Sequence, residues 1–154
     1  AHLPEGVRME TADISALPFY NQDIEKPQAV KDLVARVTAA DALVLACPEY
    51  NYSLAPALKN ALDWLSREPD LAPLTGKAVC IVGAGGGMGT SRSQYHLRQV
   101  CVYLNLHVLN KPELFSNAFS ACFDDKGDVQ DEGLTRQVTD VMQALAQWTR
   151  QLRK

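Results

Sequence analysis

Two short apolar runs constrain this chain most. Residues 42–47 (ALVLAC) and 78–83 (AVCIVG) carry no charge and no break in hydrophobicity. Each is too short for a typical helix, and neither alternates as a strand with one wet face does. A strand covered on both faces reads this way, and such strands belong to parallel sheets. Parallel strands need crossover connections, usually helices. The chain supplies them. After 42–47, Pro56 opens a segment with Leu58, Ala61, Leu62 and Leu65 at helical spacing, and Leu54 just ahead of it. After 78–83, Leu97, Val100, Cys101 and Leu104 recur in the same manner. The expectation is an α/β fold with a mostly parallel sheet.

The other segments extend that pattern. Val7, Met9 and Thr11 alternate with Arg8, Glu10 and Ala12, which predicts a short strand. Residues 13–27 are polar and hold Pro18 and Pro27, so they read as a loop. Val30, Leu33, Val34 and Val37 mark one face of a helix from Gln28 to Ala39. Residues 106–109 (LHVL) predict another strand, and a last helix starts near Glu132, with Leu134, Val138, Val141, Leu145 and Leu152 on one side. No repeat, low-complexity tract or linker interrupts the 154 residues, so a single domain is the expectation.

Composition removes several function classes. The net charge of −3 argues against nucleic acid as the main partner. No apolar stretch approaches the roughly 18 residues of a membrane span, and the first 15 residues carry no signal-peptide pattern. The three histidines, His2, His96 and His107, lack ligand spacing, so no metal site is expected. Cys47, Cys80, Cys101 and Cys122 form no C-x-x-C pair and read as reduced thiols of a cytoplasmic protein.

In open α/β sheets, ligands bind beyond the carboxyl ends of the strands. Two loops lie there. Pro48, Glu49, Tyr50, Asn51, Tyr52 and Ser53 bring together two aromatics, a carboxylate, an amide and a hydroxyl. A planar ring ligand needs such a platform with polar groups at its edge. The same residues also make an ordinary surface turn, with Asn and Ser as turn and cap residues. The second loop runs over residues 83–91 (GAGGGMGTS), in which Gly83, Ala84, Gly85 and Gly86 let backbone approach a ligand at a helix N-terminus. It also reads as a flexible turn. Met88 stands where the last glycine of G-x-G-x-x-G belongs, and no Gly-Lys pair supports a P-loop. Arg92, Tyr95, His96 and Arg98 follow as a polar patch or a solvated helix face. No G-x-S-x-G nucleophile motif is present.

PEYNYS followed by LKNALDWLSR resembles the signature of the NADPH-dependent FMN reductases. SRSQYHLRQVCVYLNLHVLNKPE is similar to their bacterial chromate and quinone reductase branch. The resemblance extends from about Leu3 to the C-terminus. It implies a flavodoxin-like fold with strand order 2-1-3-4-5, and FMN as cofactor with NADPH or NADH as donor. By resemblance, Pro48, Glu49, Tyr50, Asn51 and Tyr52 line the flavin ring, and the backbone of Gly83, Ala84, Gly85 and Gly86 meets its other edge. It implies ping-pong hydride transfer to quinones, with chromate as a further acceptor, and assigns no acid or base to the protein. It also implies a homodimer or homotetramer, with Arg92, Tyr95 and Glu113 bonded across an interface. An electron-carrying flavodoxin, or an FMN-free protein that keeps only the fold, are the alternatives.

One departure matters. The family's first strand leads into a G-S-x-R-x-x-S-x-N type loop for the FMN phosphate, and these residues contain none. The strand near Val7 then corresponds to the family's second. Omitting the first would leave a slot beside 42–47, with unpaired backbone groups costing roughly 1–3 kcal/mol each. The expectation is an N-terminally incomplete domain, with natural residues before Ala1 carrying the phosphate loop.

Overall fold

A computed structural model describes residues 3–153. The expectations for Ala1, for His2 and for any residue ahead of them lie outside that range. Four helices and a parallel sheet form an α/β fold, as the two apolar runs predict. The elements are α1 (Gln28–Ala39), β1 (Ala42–Ala46), β2 (Glu49–Tyr50), β3 (Ser53–Leu54), α2 (Pro56–Leu65), β4 (Ala78–Gly85), α3 (Ser91–Tyr103), β5 (His107–Val108), β6 (Leu114–Asn117) and α4 (Glu132–Leu152).

β4 is the centre of the sheet. It pairs in parallel with β1, from Ala42 opposite Ala78 to Ala46 opposite Val82. On its other side β5 pairs at Ala78 and Val79, and β6 at residues 82–85, so one edge position is filled by two separate strands. Alternation along β4 divides the core. Val79 and Ile81 face α1, α2 and α3, packed with Leu33, Leu62, Leu97 and Cys101. Ala78 and Cys80 face α4, against Val141, Met142 and Leu145. Burying each such Leu, Val or Ile side chain contributes about 1.5–3 kcal/mol. Helix ends follow local chemistry: Pro56 starts α2, and the Asp131 carboxylate accepts from the Leu134 amide at 2.6 Å to cap α4.

Several expectations are corrected. Residues 7–12 form no strand and have no sheet partner among the described residues. Alternation alone does not make a strand where no neighbour offers its backbone. Arg36 instead donates to the Thr11 carbonyl at 2.9 Å, and Ala12, Ile14 and Leu17 lean on the core. β1 is covered on one face more than the other: Leu45 is buried, while Ala46 is exposed. The reason is layering. Leu43, Leu45 and Cys47 lie in the cluster formed with α1, α2 and α3, whereas Ala42 and Val44 lie in the smaller one, which α4 is the only helix to cover. Of the order 2-1-3-4-5, the described residues form the last three positions, as β1, β4 and the β5–β6 pair. β6 was not foreseen in the sequence. Gly83, Ala84 and Gly85 belong to β4, so the glycine turn is shorter than expected.

Candidate functional site

The loops after β1 and β4 leave adjacent strands at one edge of the sheet. The first is a hairpin. β2 and β3 pair Glu49 with Leu54 and Tyr50 with Ser53, and Asn51 and Tyr52 turn the corner. Both turn residues have positive φ, 50° at Asn51 and 66° at Tyr52. Two-residue hairpins of this twist require that conformation. Asn accepts it readily; an aromatic residue held there costs on the order of 1–3 kcal/mol. Tyr50 is 58% exposed and Tyr52 67%, so both rings lie largely in solvent at the sheet edge, with the Arg92 guanidinium over the Tyr52 ring.

Glu49 points the other way. Its side chain is only 7% exposed. One oxygen receives Arg92 through Nε at 2.6 Å and Nη2 at 2.5 Å. The other accepts from the backbone amides of Arg92 at 3.2 Å and Ser93 at 3.3 Å. Thr90, at the N-cap of α3, makes no side-chain cap. A carboxylate from another loop therefore satisfies the first amides of α3, where the helix dipole favours negative charge. Burial pushes the Glu49 carboxyl up; the Arg92 side chain, the two amides and the Arg92 charge outweigh it and hold the group below its usual range. The α3 N-terminus, expected to face a ligand, is thus already committed to Glu49.

The glycines separate into two kinds. A Cβ on Gly83 would lie 2.3 Å from Thr90 Oγ1 and 2.6 Å from the Cys47 carbonyl, and one on Gly85 would lie 2.5 Å from the Gly89 carbonyl. These positions are glycine because the protein packs against them. A Cβ on Gly86 or Gly87 would meet nothing within 4 Å. The Gly89 amide donates to the Gly86 carbonyl at 2.7 Å, closing a turn with open space around it.

Below the turn, Gln94 is buried. Its Nε2 donates to Thr90 Oγ1 and to the Leu114 carbonyl, both at 2.8 Å, tying α3 to β6. Sequence reasoning missed this residue, although it stands three positions before Leu97 on the buried stripe. On the outer side, Tyr95 Oη donates to Glu113 Oε1 at 3.3 Å, and Lys111 Nζ meets Glu113 Oε2 at 2.5 Å. The hydrogen bond from Lys111 leads the effects that lower the Glu113 carboxyl pKa. Tyr95 and Glu113 are therefore together, while Arg92 is turned to Glu49. His96 Nδ1 lies 3.1 Å from Ser53 Oγ, a further tie between α3 and the hairpin.

Exposed aromatics beside an open glycine turn fit a planar ring such as the isoalloxazine. Glu49 takes the first amides of α3, so that helix N-terminus is not open to the flavin's phosphate.

The NADPH-dependent FMN reductase family profile matches residues 1–121. The chain belongs to that family. It is 46% identical over 155 aligned residues to an NAD(P)H-dependent FMN reductase of Pseudomonas aeruginosa, covering 98% of this chain and 83% of that one. It is 38% identical to a quinone reductase of Escherichia coli K12, covering 91% and 77%. Among solved structures, the flavoenzyme NAD(P)H:(acceptor) oxidoreductase FerB from Paracoccus denitrificans superposes with a TM-score of 0.82 at 26% identity, over 91% of this chain and 79% of that one.

Proposed function

We propose that this chain, an FMN-dependent NAD(P)H oxidoreductase by its family, passes two electrons from NADPH or NADH to quinones and similar small acceptors, chromate among them. The observation that carries the reading is that the Tyr50–Tyr52 hairpin and the open Gly86–Gly87 turn follow adjacent parallel strands, β1 and β4. In this reading Pro48, Tyr50, Asn51 and Tyr52 hold one side of the flavin, and the backbone around Gly86 lies against its other edge. Gly83, Ala84 and Gly85 carry that backbone to the edge of the sheet. Glu49 anchors the hairpin from behind. FMN, held by these residues, would supply the redox chemistry of hydride acceptance and electron return. The protein's part is to bind, orient and shield. No side chain here is assigned as acid or base.

The described residues hold no G-S-x-R-x-x-S-x-N type loop, and the outer edge of β1 has no paired strand among them. We assign both functions to a further βα unit of the domain. A homodimer or homotetramer is proposed, with Arg92, Tyr95 and Glu113 at or near the interface. In support, α3 also exposes Val102 at 80% and Tyr103 at 70%. The cytoplasm is the proposed compartment. Burial raises the Cys80 thiol to about 12 and the Cys101 thiol to about 11, so both stay protonated and inert.

The test follows the flavin absorbance of the FMN-loaded protein without oxygen. NADPH should bleach it, and benzoquinone should restore it after the donor is spent. A yellow protein that NADPH leaves unbleached contradicts the proposal.

A further inference from the structure

The hairpin is tied to α3 at both ends of the Tyr50–Asn51 pair, and one residue makes both ties. On the near side, Arg92 grips the Glu49 carboxylate through Nε and Nη2. On the far side, its Cζ lies 3.7 Å from the centroid of the Tyr52 ring, close enough for a cation–π contact. Tyr52 holds a backbone conformation that aromatic residues avoid, with φ at 66°. A surface turn in that conformation needs an external restraint. The stacked guanidinium supplies it at the Tyr52 ring, which is otherwise largely exposed, next to the Ser53–His96 tie one residue on.

We propose that Arg92 is a positioning residue that latches the hairpin to α3 through Glu49 and Tyr52, and so sets how Tyr50 and Asn51 are presented to the flavin. This rests on the flavin reading of the site and adds to it a residue that does not touch the ring. A planar guanidinium is required, because one group must take a carboxylate at its edge while an aromatic ring lies on its face. Glu49 supports the latch with its second oxygen, which fixes the carboxylate against the helix amides.

The latch makes a prediction about coupling. Tyr52→Gly turns the corner into an Asn-Gly pair, the sequence that adopts this turn without help. The hairpin should then hold its shape unaided. FMN dissociation constants are measured by flavin fluorescence on four proteins: the native chain, Arg92→Ala, Tyr52→Gly and the double variant. Arg92→Ala should weaken FMN about tenfold alone and less than about threefold in the Tyr52→Gly background, a coupling of the size found between residues in contact. The visible band of the bound flavin should shift on Arg92→Ala in the native background, and by less when the same change is made in the Tyr52→Gly background. Equal losses in both backgrounds overturn the proposal. Should Arg92→Ala fail to fold alone yet fold with Tyr52→Gly, that rescue supports the latch; failure in both assigns Arg92 to the fold and overturns it. If the native chain takes up no FMN, the flavin reading fails by itself. The latch is then judged by amide exchange at Ser53, which faces Tyr50 across the turn: slow in the native chain, fast in Arg92→Ala and slow again in the double variant, or else it is wrong.

Discussion

Glu49 shows how one residue type admits two roles that sequence cannot separate. A carboxylate in an aromatic loop beyond a strand reads as a ligand group. Its neighbours in space, Arg92 and the amides that open α3, lie more than 40 positions away in the chain. Only the fold reveals that the helix lacks a cap of its own. Because its carboxyl pKa is lowered in the folded state, Glu49 stabilises above the ordinary carboxylate pKa, and that contribution is lost as pH falls through the lowered value. Acid unfolding below about pH 4 should therefore be shallower in Glu49→Gln, because that variant has already lost the contribution. Unchanged acid titrations of the two proteins, followed by circular dichroism, would contradict this. Tyr50 and Asn51 read in the sequence either as a platform or as an ordinary surface turn, and the structure sets both, exposed, at the corner of the hairpin. Replacing both with Ala should weaken FMN by about 1–3 kcal/mol, the scale of an aromatic contact with a hydrogen bond. A fluorescence titration with unchanged affinity would remove the hairpin from the site.

At the scale of elements, periodicity found all four helices and the two long strands, because burial on known faces writes itself into spacing. It failed at the edges. β6 has burial at alternate positions only, Leu114 and Ser116, and a buried serine carries no hydrophobic signal. Residues 7–12 have the alternation but no partner among the described residues, and a strand is a pairing before it is a pattern. The glycine segment was legible as unusual, but which glycines serve packing needed Thr90 and Gly89 in place. That division is testable. Gly83→Ala drives a methyl into Thr90 Oγ1, which is already held by Gln94, and into a carbonyl. It should destabilise by about 1–3 kcal/mol or more in urea unfolding. Gly86→Ala meets no atom within 4 Å. Its stability should change by less than about 0.5 kcal/mol while FMN binds more weakly. Equal stability losses in the two variants would show that packing does not distinguish them.

For the whole molecule, the parallel fold and its family were legible from two runs and two motifs. Assembly and the phosphate site were not, since each involves surfaces that a single described chain leaves open. If α3 carries the interface, light scattering at micromolar concentration should give a dimeric or tetrameric mass. Tyr95→Glu places charge beside Glu113 and should lower that mass, whereas an unchanged mass would move the interface elsewhere. The central claim is that this protein turns over NAD(P)H on bound FMN. Steady-state oxidation of NADPH by the FMN-loaded protein, with benzoquinone varied at several donor concentrations, tests it most directly. The account predicts turnover with parallel double-reciprocal lines, because the donor must leave before the acceptor is reduced. Protein that carries FMN and yet oxidises neither NADPH nor NADH in the presence of benzoquinone would contradict it.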